Sequence, residues 1–357
     1  MSRLVVRIVE VNPWRVLVQG ANDGEPSLGE WVGTAVVSNG NLLGVGDFLG
    51  VQYRIAEGLH DVQGRYRIPI TRYESQVEIV ARSTWSMVVL SPVDELDISN
   101  RTSTYGVALV QPIIDRTRVS AELFVRGEWR RSQSYLDGER ESFDLGPEQG
   151  KSTVVVIRTG LDLIARSRYM AGAIRLQLSE GLDVLGATSH GGTTPDSQYH
   201  AGLIQLDIGA RHPSLPVRAQ IRSAIQIASD RLLGLEQFGI GGMDSVRGYR
   251  QNQLVRDNGA MTTAEVYVGT RLPRLGDFRP SLEIGPNFGF GYGWDDAHDA
   301  RPAAHVLSTG VSALLSVLPN AALEIYWAYP LDRLGGSPGR AVQDDGLQLR
   351  VTWTYLN

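Results

Sequence analysis

Apolar and polar residues alternate with a period of two along nearly the whole chain, the spacing of a β-strand with one apolar face. From Leu347 to Tyr355 the apolar set is Leu347, Leu349, Val351, Trp353 and Tyr355, and Gln348, Arg350, Thr352 and Thr354 fill the other face. The segment 217–227 sets Val217, Ala219, Ile221, Ile225 and Ile227 against Arg218, Gln220, Arg222 and Gln226. In 119–129, Val119, Ala121, Leu123 and Val125 oppose Ser120, Glu122, Arg126 and Glu128. Such strands outrun the five or six residues usual in a soluble sheet, roughly by half or more. Their length suits strands that cross a bilayer at a tilt. Counting from Trp14 onward predicts about sixteen of them, an even number that closes an antiparallel barrel.

Closure is required because lipid offers no partner for an unpaired backbone N–H or C=O, so a sheet spans a bilayer only without edges. The polar face then lines a wet interior. Trp14, Trp31, Trp85, Trp129, Trp294, Trp327 and Trp353 are candidates for the aromatic girdles at the two interfaces. A soluble β-sandwich or propeller would also alternate, but Arg and Gln at every second position would make a poor dry core. No helix-length amphipathic pattern stands out, and no repeat carries a propeller-blade signature. The expected fold class is therefore all-β, a closed antiparallel transmembrane β-barrel of about sixteen strands.

Composition narrows the chemistry. No linker or low-complexity tract divides the 357 residues, so one large unit is expected. A net charge of -5 and a pI near 5.7 argue against a nucleic-acid partner, which needs a concentrated basic face. Lys151 is the single lysine, and cysteine is absent, which removes disulfides, thiol nucleophiles and cysteine-based zinc sites. Apolar runs such as Val154–Ile157 fall far short of the roughly 20 residues of a spanning helix. The opening Met1-Ser2-Arg3-Leu4-Val5-Val6-Arg7 lacks the parts of a signal peptide, so any export signal is expected to be absent from this chain.

The histidines His60, His190, His200, His212, His298 and His305 show no metal-ligand spacing and read as surface residues, so no metal is expected. Gly289-Phe290-Gly291-Tyr292-Gly293 lacks the Lys-Ser/Thr end of a phosphate loop and sits in an alternating strand. Asp137, Glu139, Glu141 and Asp144 look like a solvated loop. No nucleophile and base stand in a recognisable motif, so no enzyme and no cofactor are expected. A phospholipase or protease at the lumen or rim remains an alternative that only a scan of single Ser, Asp or His changes would remove.

The most specific segment runs from Phe238-Gly239-Ile240-Gly241-Gly242-Met243 through Asp244-Ser245-Val246-Arg247-Gly248-Tyr249-Arg250, and Gln253 to Gly259 follow it. Its glycines permit sharp turns and close approach to a wall, and Arg247 offers a planar five-donor fork to an acidic partner. Leu282-Glu283-Ile284-Gly285-Pro286, Leu323–Leu331, Gln343–Gly346 and Leu42–Asp47 add further landmarks. With these flanks the chain resembles the two-partner secretion transporters, the ShlB/FhaC/HecB family of outer-membrane proteins. The resemblance implies that a loop at about 234–259 folds into the lumen, with Val246, Arg247, Gly248 and Tyr249 as its motif, and that Arg247 pairs with acids on the wall.

Glu265 fits one such acid: Ala264, Val266 and Val268 make the lipid face, so Glu265 points inward with Thr263 and Tyr267. The resemblance also implies a second acid, in a Phe-x-Asp pattern of the next strand, and the aligned residues here are Asn287-Phe288-Gly289, which makes Gly289 the lost acid position. Glu283 also faces inward but lies about 20 Å away along the strand, too far to substitute. Gly289→Asp is accordingly expected to tighten the loop. Arg218, Arg222 and Arg350 are expected to line the lumen and set its field.

The reading that follows is an outer-membrane protein-translocating pore exporting an extended exoprotein of haemolysin or adhesin type, a monomer in outer-membrane lipid with no nucleic acid. Residues 1–12 read as a remnant of a periplasmic domain and linker, and 13–357 as the barrel. The start, the end past Tyr355 and Gly289 together suggest a truncated or redesigned barrel. In that alternative it is only a passive ion or small-solute pore.

Overall fold

A computed structural model describes residues 12–295, 301–332, 334–335 and 341–356. The periplasmic-domain remnant expected over residues 1–12 lies outside them except for Asn12, as does His298. Sixteen long strands follow one another. The first eight are β1 Trp14–Ala21, β2 Val32–Asn39, β3 Phe48–Ala56, β4 Leu59–Pro69, β5 Gln76–Met87, β6 Ser99–Arg116, β7 Val119–Leu136 and β8 Lys151–Arg166. The second eight are β9 Met170–Leu182, β10 His200–Arg211, β11 Val217–Ala228, β12 Asn258–Arg271, β13 Ser281–Trp294, β14 Ala304–Leu318, β15 Ala321–Pro330 and β16 Leu347–Leu356. Each pairs antiparallel with its neighbour, and β1 pairs with β16 from Arg15↔Leu356 to Ala21↔Arg350, which closes the barrel. The remaining regular structure among the described residues is short: three 3-10 turns and a few two- or three-residue strands. No described helix is long and apolar enough to cross a membrane.

The alternation in the sequence becomes the two faces of the wall. On β12, Val266 and Val268 are 44% and 53% exposed, whereas Glu265 and Tyr267 between them are 4% and 1% exposed. Phe288, Phe290 and Tyr292 lie outward on β13, and Val351, Trp353 and Tyr355 do so on β16. Outward rings pair as girdle residues do, with Tyr105 and Trp129 centroids 5.9 Å apart and Trp353 and Tyr355 6.1 Å apart. The inward face is held by ion pairs between strands. Glu78 on β5 accepts from Arg67 on β4 at 2.9 Å and from Arg126 on β7 at 2.8 Å. This mesh keeps inward carboxylates and guanidinium groups partnered, the condition under which charge is tolerated in a confined interior.

Wall height is uneven. β1 and β2 have 8 residues each, whereas β6 and β7 have 18. At about 3.3 Å per residue the first pair spans roughly 26 Å and the second roughly 60 Å along the strand. At a tilt of about 40° the short pair rises only about 20 Å, less than an apolar band about 25 Å tall, whereas the long pair rises about 45 Å and projects beyond it. Connections alternate in length: two residues join β6 to β7, whereas residues 229–257 lie between β11 and β12. That long connection turns back inside the barrel.

Candidate functional site

The loop builds its own small scaffold. Phe238–Ile240 pairs antiparallel with Leu254–Arg256, and the chain between them makes the turn that carries the motif. Phe238, Ile240, Val246, Tyr249 and Leu254 pack together with Ala224 of β11 and Val306 of β14 in a buried cluster inside the lumen. The bed for this cluster is the inward glycine row of β13. A Cβ added at Gly291 would stand 2.5 Å from Ile240 Cγ2, and one at Gly289 would stand 3.0 Å from Val246 Cγ1. The missing side chains are what let the loop lie flat on the wall.

Within that bed, Arg247 reaches β12 and makes an ion pair with Glu265, both side chains being buried. Strand parity and motif thus converge on the pair that the sequence singled out. The second partner of Arg247 is a ring. Its guanidinium carbon lies 4.0 Å from the centroid of Tyr326 on β15, a cation–π contact in a desolvated setting. Gly289 is not a vacant socket for an acid, because Val246 occupies the space above it and a Cβ there would also stand 2.9 Å from the Ser308 hydroxyl oxygen. The expectation that an aspartate there would tighten the loop therefore needs correction: the added side chain meets Val246 before it meets Arg247.

Gly248 has φ of +84°, and a Cβ there would lie 2.8 Å from the Ala328 carbonyl oxygen of β15. Both the turn and the close approach demand glycine. The Tyr249 hydroxyl sits 2.8 Å from the Leu307 carbonyl oxygen and 3.0 Å from that of Asp332, and accepts the Leu307 N–H at 3.1 Å. The motif therefore touches β12, β14 and β15 at once.

Further anchors join residues that the sequence did not pair. Glu236, buried at the start of the loop, accepts from Arg130 of β7 at 2.5 Å and from Arg158 of β8 at 2.7 Å. Asp244 accepts from Arg350 of β16 at 2.7 Å and lies 4.0 Å from Arg222 of β11. Arg250 makes a bidentate pair with Asp344, at 2.6 and 2.7 Å. Beside it, buried Gln343 accepts the Gln251 N–H and donates to the Asn22 and Gly24 carbonyls, tying the loop to the end of β1. Charges of both signs on the loop thus find opposite charges on the wall.

The three expected lumenal arginines all face inward but are not equivalent. Arg222 and Arg350 hold the loop through Asp244. Arg218 pairs with Glu283 at 2.7 Å and lies 4.3 Å from the Tyr267 centroid, so it belongs to the wall beneath the loop. That pair also explains where Glu283 is engaged. Two spaces flank the loop. One of about 460 Å³ lies towards β7–β11, and one of about 730 Å³ lies towards β1–β3, lined by Gln19, Thr34, Gln52 and Arg54. The described residues contain no cluster of His, Asp and Glu fit to hold a metal.

A closed barrel with inward charge, an apolar outer band and a loop lodged in its lumen defines a transmembrane β-barrel of the outer-membrane type. The chain belongs to the haemolysin secretion/activation protein ShlB/FhaC/HecB family, whose model matches residues 1–316. This is a family of outer-membrane transporters, which agrees with an outer-membrane location. No curated protein matches the chain. Among solved structures it is similar to CdiB from Escherichia coli, with a TM-score of 0.81 at 17% identity over 98% of this chain and 64% of that one. CdiB from Acinetobacter baumannii gives 0.70 at 14% identity, over 98% of this chain and 60% of that one. BamA from Haemophilus ducreyi lacking POTRA domains 1-3 gives 0.63 at 12% identity, over 97% and 71%. The chain therefore spans 64% and 60% of the two CdiB proteins.

Proposed function

We propose that this barrel is the translocation pore of a two-partner secretion transporter, passing an extended exoprotein of haemolysin or adhesin type across the outer membrane. The observation that supports it most is the lodged loop, with Arg247 of the family motif paired to Glu265 inside the lumen. In this reading the loop is a gate: Val246 seats it on Gly289, Gly248 brings it against β15, and Tyr249 pins it to β14. Cargo needs room, so the loop must shift for export. Arg218, Arg222 and Arg350 set the field felt by the passing chain. Export is driven by folding of the cargo outside, and the pore acts as a monomer without nucleotide or metal.

The test is a comparison of secreted proteins. Deleting the gene in its host is expected to remove one large exoprotein from the medium. Complementation with Arg247→Ala is expected to restore less of it than the parent gene does. An unchanged set of secreted proteins, alongside measurable pore conductance, identifies a passive solute pore instead.

A further inference from the structure

On the outer surface, at the end of the barrel bearing the short turns, an apolar groove of about 400 Å³ runs across β7 to β10. Its floor includes Val119, Leu163, Ile174, Leu206 and Ile208, and it deepens at Gly172. Its rim is basic. Arg118 and Arg166 line it, and Arg116 and Arg168 stand in the same neighbouring chain ends, all of them exposed. Asp115 is the one carboxylate in those turns. Among the described residues none of these four guanidinium groups makes an ion pair with a carboxylate, unlike the paired arginines of the lumen.

The rim is also fixed in place. The Arg166 N–H donates to the Arg118 carbonyl at 2.8 Å, and the Arg211 N–H donates to the Tyr169 carbonyl at 2.8 Å. The Arg211 side chain donates to the Arg168 carbonyl at 3.0 and 3.3 Å. Short turns mark the periplasmic side of such barrels, so the rim stands at the headgroup level of that leaflet and the groove at acyl depth.

We infer that this groove is a binding site for one anionic phospholipid. The arginine rim takes the phosphodiester, because guanidinium groups present paired donors to phosphate oxygens and basic pockets at a membrane surface select anionic headgroups. The groove takes an acyl chain, and the recess at Gly172 gives it depth. A Cβ at Gly172 would make only ordinary contacts, 3.5 Å from the Asp207 carbonyl oxygen and 3.6 Å from Ile208 Cγ1. A larger side chain can therefore fill the recess while the strand keeps its place.

The test is native mass spectrometry of the detergent-purified protein with phosphatidylglycerol or phosphatidylcholine. One phosphatidylglycerol is expected to be retained selectively. The triple variant Arg118→Gln, Arg166→Gln, Arg168→Gln is expected to lower its retention about tenfold or more. Gly172→Leu, which keeps every charge, is expected to lower it as well. Arg274→Gln with Arg279→Gln, in the β12–β13 turn, leaves retention unchanged. Heat-modifiable gel mobility confirms that each variant is folded. Equal retention of phosphatidylcholine, equal loss in the Arg274/Arg279 control, or displacement by inorganic phosphate alone would overturn the assignment.

Discussion

Arg247 is held by two different kinds of contact, a carboxylate from β12 and a ring from β15. Removing one member of a buried ion pair costs about 3–5 kcal/mol. Each buried apolar side chain of the loop contributes roughly 1.5–3 kcal/mol, and several are buried together. Packing therefore outweighs the pair. Arg247→Ala is expected to leave the loop inside the barrel but loosen it, seen as higher current noise in planar bilayers with unchanged heat-modifiable mobility. Unchanged noise would remove Arg247 from the gate. Gly289→Asp is expected to push Val246 off its seat and raise noise, and Val246→Ala added to it relieves the clash; a quieter pore in the single variant would restore the sequence-based expectation. Glu265 was legible in the sequence because parity along a strand fixes its face. Tyr326 was not, since parity puts it inside without saying that the loop delivers Arg247 to it.

At the scale of the element, the loop is attached at several separate places rather than at its motif alone. The sequence located it at about 234–259, and the chain in fact leaves β11 after Ala228 and joins β12 at Asn258. The early segment carries Leu232 and Leu233 into a second buried cluster with Val154, Val156 and Tyr199. Glu236 locks it there. No spacing rule exposes Glu236, because its partners Arg130 and Arg158 stand on strands far earlier in the chain. Glu236→Gln takes a carboxylate from part-exposed Arg130 and from buried Arg158, which keeps Glu128 at 3.0 Å, at a cost of about 1.5–3 kcal/mol. A lower urea midpoint for loop protection from protease is the expected result, and protection equal to the parent would show that packing alone holds this segment. Gly248→Ala is expected to displace the motif, since the backbone there has φ of +84° and the Ala328 carbonyl leaves no room. Displacement should show as protease cleavage in the loop; a protected loop would contradict it.

For the molecule as a whole, alternation and strand length sufficed for the closed barrel, because the lipid and lumen faces impose opposite chemistry on successive residues. Pairing of β1 with β16 follows from the same demand that no edge meet lipid. What stayed hidden was assembly across the lumen, where loop and wall meet through residues far apart in the chain, as Asp244 meets Arg350. Everything proposed for the gate depends on the segment between β11 and β12 filling the pore. Single-channel conductance in planar bilayers, comparing the parent with a variant lacking residues 237–256, tests this most directly. A pore-filling segment predicts a several-fold larger and quieter conductance for the deletion, in a barrel that still shows heat-modifiable mobility. Equal conductance from the two folded proteins would contradict it.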